Sequence, residues 1–174
     1  MALPVLYNVI YGRPQPPEHV TSHLTVRPAI LKDHRRRFVR YSVYPGMTAH
    51  KGSEVAGTLV TGLTKGNLRD LHFFEGTEYA IASTKVKVLM ERTAGPPGPG
   101  GEPTYENEVW KEMEALTYLY TAGEYRLDNR EWSFKKYMEL NMANWSGLSM
   151  SQAANQLCKL YSYMHKYAWQ KCKY

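Results

Sequence analysis

The chain has 174 residues, 43% of them hydrophobic and 22% charged, with a formal net charge of +6. That length suits one domain with its own core, and that composition excludes wholesale disorder, a collagen-like chain and a coiled coil. Fourteen tyrosines beside four phenylalanines favour strand-rich structure with amphipathic rings at rims or pockets.

The opening residues Met1–Tyr11 are apolar but lack a basic start, contain Pro4 and Asn8, and are too short for a membrane span. Within them Val5–Tyr11, rich in β-branched and aromatic residues and followed by Gly12, Pro14, Pro16 and Pro17, predicts a first strand leading into a constrained turn. Val26–Leu31 and Phe38–Tyr44 predict two further strands, with the basic patch Lys32, His34, Arg35, Arg36 and Arg37 between them. Pro45-Gly46 then reads as a turn, His50–Ser53 as a loop and Val55–Val60 as a strand. Thr64 can cap a short helix in which Leu68, Leu71 and Phe74 share helical spacing, and Gly76 ends it. Tyr79–Met90 and Ala115–Tyr120 predict strands, and the Pro/Gly-rich residues 94–103 a surface loop.

The tail changes character. From Ser149 onward Ala153, Ala154, Leu157, Leu160, Tyr161, Met164 and Ala168 follow helical spacing. We divide the chain into a domain over residues 1–146 and a C-terminal helical extension over 147–174 packed on it. Contact with a second copy, giving a homodimer, and a membrane surface are the alternative uses of that helix. Cys158 and Cys172, the two cysteines, support neither a disulfide framework nor a metal knuckle and fit a reducing, cytoplasmic setting.

The chemistry concentrates at Leu71-His72-Phe73-Phe74-Glu75-Gly76-Thr77-Glu78-Tyr79. With Gly76 as the helix cap, Glu75 occupies the last turn, where unpaired carbonyls and apolar neighbours both disfavour its charge. Its pKa should be raised, as a general acid/base near neutrality requires; a solvated surface acid is the plainer alternative. The six histidines are scattered without metal-ligand spacing, so no zinc site is expected. Neither a nucleophile elbow nor a nucleotide-binding glycine loop is present, so no cofactor is expected. A binding protein remains the rival class: Lys32, Arg35, Arg36, Arg37 and Arg40 with Phe38 and Tyr41 interleaved could contact nucleic acid. A charge run is more often a solvated edge, and we expect no nucleic-acid partner.

Tyr11-Gly12, Tyr44-Pro45-Gly46, Gly57-Thr58-Leu59 and Glu75-Gly76-Thr77-Glu78-Tyr79, in this order and spacing, resemble the gamma-glutamylcyclotransferase-like family, which includes gamma-glutamylamine cyclotransferases and the plant avirulence-induced proteins. Residues 131–145 are similar to that family's late acidic-aromatic segment, so the resemblance runs from about Val5 to Trp145. It implies an α+β fold, a small mixed β-barrel with flanking helices and a pocket at the barrel mouth. It also implies a metal-free, cofactor-free enzyme that turns a gamma-glutamyl amide into 5-oxoproline and an amine. By resemblance Glu75 is the general acid/base, and Tyr11, Gly12, Arg13, Pro14, Tyr44, Tyr79 and Tyr118 bind a small substrate that is anionic or carries an amide. The family loop reads Tyr-Gly-Thr/Ser-Leu, whereas here it is Tyr11-Gly12-Arg13-Pro14. Proline has no N–H to donate, and Arg13 offers a bidentate fork for an anion in its place. The alternatives are a different acid/base reaction on the same fold, a cyclisation, isomerisation or lyase step through a rebuilt loop, or a binding protein without catalysis.

Overall fold

The computed structural model describes residues 1–99, 103–134 and 136–137. The expected C-terminal helix, the boundary at 146/147, both cysteines and residues 138–145 lie outside the described residues. The elements are α1 (Leu3–Tyr11), α2 (Glu18–Thr21), β1 (Thr25–Val39), β2 (Pro45–Thr61), α3 (Lys65–Glu75), β3 (Tyr79–Ala94), β4 (Tyr105–Tyr120) and β5 (Leu127–Glu131), with single 3-10 turns over Gly76–Glu78 and Glu124–Arg126.

The first expected strand is a helix. In α1 Pro4 sits in the first turn, where no N–H is needed, and Gly12 caps the end in the left-handed region at φ 67°, its N–H donating to Asn8 O at 3.0 Å. Leu6 and Ile10, four residues apart, pack with Leu71 of α3. A seven-residue apolar run fits a buried strand and a buried helix equally, and packing decided between them.

The first expected strand runs on through the basic patch to Val39, whereas residues 40–44 of the second, with Tyr41 at φ 62°, form the turn before β2. β1 runs through Lys32–Arg37 and pairs with β2 from Thr25↔Thr61 to Phe38↔Pro45. The register shifts between Lys32 and His34, where Asp33 has φ 56°. This bulge, braced by Gly52 N–H donating to Asp33 Oδ1 at 2.8 Å, lets a charged stretch stay in the ladder while the hairpin bends. Pro45-Gly46 therefore begins β2 instead of forming a separate turn, and the expected His50–Ser53 loop falls within the bounds of β2 but opposite Asp33, without partners in the β1 ladder.

The other expectations hold more closely. Thr64 caps α3, accepting from Asn67 N at 3.2 Å while Asn67 Oδ1 accepts from Thr64 N at 3.1 Å. β3 and β4 pair from Tyr79↔Tyr120 to Ala94↔Tyr105, so β4 starts ten residues before the expected strand. Gly95 N–H donates to Thr104 O at 2.8 Å at the start of the proline-rich connection.

The fold is α+β, with a five-stranded sheet ordered β2-β1-β3-β4 and β5 paired to β1. Every pairing is antiparallel, and among the described residues β2 and β4 share no ladder. The expected mixed, closed barrel is thus an open antiparallel sheet. It is nonetheless strongly curled. Pro45 and Leu59 of β2 line one cavity, although a straight strand would set them about 45 Å apart. Ala29, Leu31, Val86 and Val88 form the core of this curl, with Val88 fully buried.

At Gly46 the backbone passes so close to β5 that a Cβ would stand 2.6 Å from Leu127 Cδ2 and 2.9 Å from Tyr120 Cγ. Gly46→Ala should therefore cost about 1–3 kcal/mol in urea denaturation. An unchanged midpoint would mean that β5 yields freely at this contact.

Candidate functional site

The pairing of β1 with β3 is confined to Ala29↔Val88, Ile30↔Lys87 and Leu31↔Val86, after which the two strands part. Farther along, β1 takes β5 at Arg37↔Glu131 and Val39↔Leu127. A cavity of about 340 Å³ is lined from both sides of this split: Arg36 from β1, Tyr79 from β3, Leu116, Thr117 and Tyr118 from β4. Its wall is completed by the first turn of α1, the end of α3 and Trp132, Phe134 and Tyr137 beyond β5.

Glu75 is the last residue of α3, and Gly76 turns the chain there with φ 67°, its N–H donating to His72 O. The Glu75 carboxyl lines the cavity and is the sole carboxyl side chain among the described residues that do. Burial pushes its pKa up, opposed by the amino group of Met1. The direction matches the expectation from sequence, with desolvation as the main cause.

The second acid of the motif has a different task. Glu78 accepts from the Tyr44 hydroxyl at 2.9 Å and pairs with Arg126, and its backbone carbonyl accepts from Thr121 N at 2.8 Å. Tyr79 donates its hydroxyl to Pro45 O at 2.9 Å and meets the Tyr120 ring edge-on at 5.4 Å. Burial first, then the nearby Glu75 carboxyl, raises the pKa of both Tyr79 and Tyr118. These hydroxyls stay protonated near neutrality. Glu75 is thus the cavity side chain equipped to exchange a proton there.

Of the site residues expected from sequence, Glu75, Tyr44, Tyr79 and Tyr118 converge on the cavity, whereas Tyr11, Gly12, Arg13 and Pro14 are not among its lining residues. Tyr11–Pro14 lie at the C-terminal end of α1 and just beyond it, because the segment is a helix and its opposite end, with Met1, Ala2 and Leu3, lines the cavity. Tyr11 reaches His23 instead, at 3.4 Å. Arg36, Trp132, Phe134 and Tyr137 line the cavity without having been singled out for it. The aromatic spacing of 132–137 was the one available signal, since nothing local tells which of three consecutive arginines faces inward.

Arg37, the next residue of the basic patch, is absorbed structurally. Buried Arg37 pairs with Glu124 and donates to Asp128 O at 2.9 Å and Asn129 Oδ1 at 3.1 Å. Among the described residues no group of three or more His, Cys, Asp or Glu could hold a metal. Nor is any helix long and apolar enough to cross a membrane.

Comparison with known proteins returns a family model described as gamma-glutamyl cyclotransferase, AIG2-like, which matches residues 10–134. AIG2-like protein B of Arabidopsis thaliana is 27% identical over 132 residues, covering 67% of this chain and 76% of that protein. Two solution structures of Arabidopsis thaliana proteins are similar in shape. One has a TM-score of 0.44 and 18% identity over 89% of this chain and 88% of its own. The other has a TM-score of 0.46 and 15% identity over 95% and 92%.

Because its pKa is raised in the folded state, Glu75 weakens the fold wherever it must be ionised. Below the unfolded carboxyl pKa of about 4.3 both states are protonated and nothing is lost; as pH rises toward the folded value the penalty grows. Glu75→Gln should therefore gain stability over the parent between pH 4 and pH 7.5 in urea titrations. A difference independent of pH would contradict the buried, perturbed carboxyl.

Proposed function

The chain belongs to the gamma-glutamyl cyclotransferase, AIG2-like family, and from that premise we propose that it cleaves a gamma-glutamyl amide by ring closure, with Glu75 as general acid/base. The observation that carries this reading is a single carboxyl of raised pKa, presented by the end of α3 to an otherwise largely apolar cavity.

The reaction is internal. The neutral α-amine of the glutamyl group attacks its own γ-carbonyl carbon, a C–N bond forms, and the ring of 5-oxoproline closes as the original amide C–N bond breaks. Glu75 takes the proton lost by the attacking amine and returns it to the departing one, so no water is consumed and no cofactor enters. Holding the glutamyl chain folded makes the step unimolecular, which is worth much of the barrier. The proton shuttle contributes about 10²–10⁴-fold more and needs reach of roughly 2.6–3.2 Å to each nitrogen.

Tyr44, Tyr79 and Tyr118 shape the pocket around the reacting atoms. In this reading Tyr79 orients the site through Pro45 O, and Tyr44 through Glu78. The lining by Leu3, Val5, Leu6, Leu63 and Phe74 favours amides whose leaving amine is apolar over polar peptides. A reducing, cytoplasmic setting suits the two cysteines. The displacement of Tyr11–Pro14 from the cavity favours a second reading, in which the same carboxyl serves a different acid/base reaction.

A panel of gamma-glutamyl amides, assayed for 5-oxoproline, tests the proposal with Glu75→Gln beside the parent. The variant should lose about 10²–10⁴-fold in turnover while ligand affinity stays within a few-fold. Undiminished turnover in the variant would sink the mechanism, and no release from any substrate by the parent would favour the second reading.

A further inference from the structure

Arg36 is the charged side chain in the cavity that proton transfer leaves without a task. Its Nη2 donates to Ala56 O at 3.1 Å, and its guanidinium carbon stands 5.5 Å from the ring centre of Trp132 and 5.8 Å from that of Phe134. Its own carbonyl accepts from the backbone N–H of Trp132 at 2.9 Å, so backbone and side chain are both tied to this one residue. Two aromatic faces and a backbone acceptor restrict the plane of the fork.

Among the described residues no carboxylate forms an ion pair with Arg36, although Arg37, Arg92, Arg126 and Arg130 each have one. Glu75, on the same cavity, is not its partner either. Burial pushes the Arg36 pKa down and Glu131 opposes this. A cation held in apolar surroundings without a counter-ion costs stability, and a bound anion offsets that cost. A guanidinium has five N–H donors, and with one of them given to Ala56 O, donors remain for a ligand in the cavity. Their geometry suits a carboxylate accepting two parallel hydrogen bonds.

We propose that Arg36 binds a carboxylate of the substrate, and so fixes which end of the ligand lies at the Trp132 and Phe134 side and which reaches Glu75. Resting on the cyclisation reading, that group is the α-carboxylate of the glutamyl moiety. The role first expected of Arg13, an anion fork, thereby falls to a residue of β1.

Calorimetry with two acids and their amides tests this: 5-oxoproline against its carboxamide, and hexanoate against hexanamide, on the parent, Arg36→Met and Arg36→Lys. The parent should prefer each acid over its amide by roughly 10- to 100-fold, the range for hydrogen bonds to a charged group. Arg36→Met should lose that preference while keeping its affinity for the amides, which also shows that the cavity is intact. Arg36→Lys should recover part of it, since charge remains and the fork does not. No acid preference in the parent, or one that survives in Arg36→Met, overturns the anchor. A preference for hexanoate that depends on Arg36, without one for 5-oxoproline, keeps the anchor and discards the glutamyl reading. Release of 5-oxoproline with the same KM in Arg36→Met does the reverse.

Discussion

The divided edge of β1 shapes the rest of the molecule. One side of this strand is paired with β2 along nearly its whole length; the other is shared between β3 at Ala29–Leu31 and β5 at Arg37–Val39. A strand whose second edge changes partner must leave backbone groups without a ladder between them. Here Trp132 N–H satisfies Arg36 O within that interval. The gap between β1 and β3 opens the cavity, and the arginine in the gap faces into it.

The same constraint explains the curl of the hairpin. β2 follows β1 through the bulge at Asp33, and both ends of β2 come round to the cavity wall. Closing the sheet by pairing β2 with β4 would remove two edges, but among the described residues that ladder is absent and side-chain packing does the joining. An incompletely closed sheet has room for a cavity where a tight small barrel would be filled by its own side chains.

Two acids three residues apart illustrate how position divides labour. Glu78 is satisfied twice, by Tyr44 and Arg126, and locks the start of β3 to the turn before β5. Glu75, one helical turn earlier, has burial and no described ion pair, so its proton is the one whose affinity the fold has raised. Arg36 is its counterpart of opposite sign, likewise without a described ion pair. Under the proposed cyclisation, an arginine and a carboxyl lining one cavity would serve an amide with a carboxylate at one end.

Much of this was legible locally. Thr64, Asn67 and Gly76 delimit α3 by hydrogen bonds within a few residues, and the raised pKa of Glu75 followed from its place at the helix end among apolar neighbours. Even α1 carried its markers, Pro4 near the start and Gly12 just past the end, though the apolar run between them suited either period. What local sequence rules determined, then, is whatever depends on capping, alternation and turn chemistry: α3, β3 and the motif at their junction. Only the tertiary structure decided that Leu3–Tyr11 is a helix with its first turn at the cavity, that Arg36 faces inward while Arg37 is sealed against Glu124, and that Trp132 closes the gap. These depend on which strands share an edge and where they part, and contacts between residues about ninety positions apart leave no trace in local spacing.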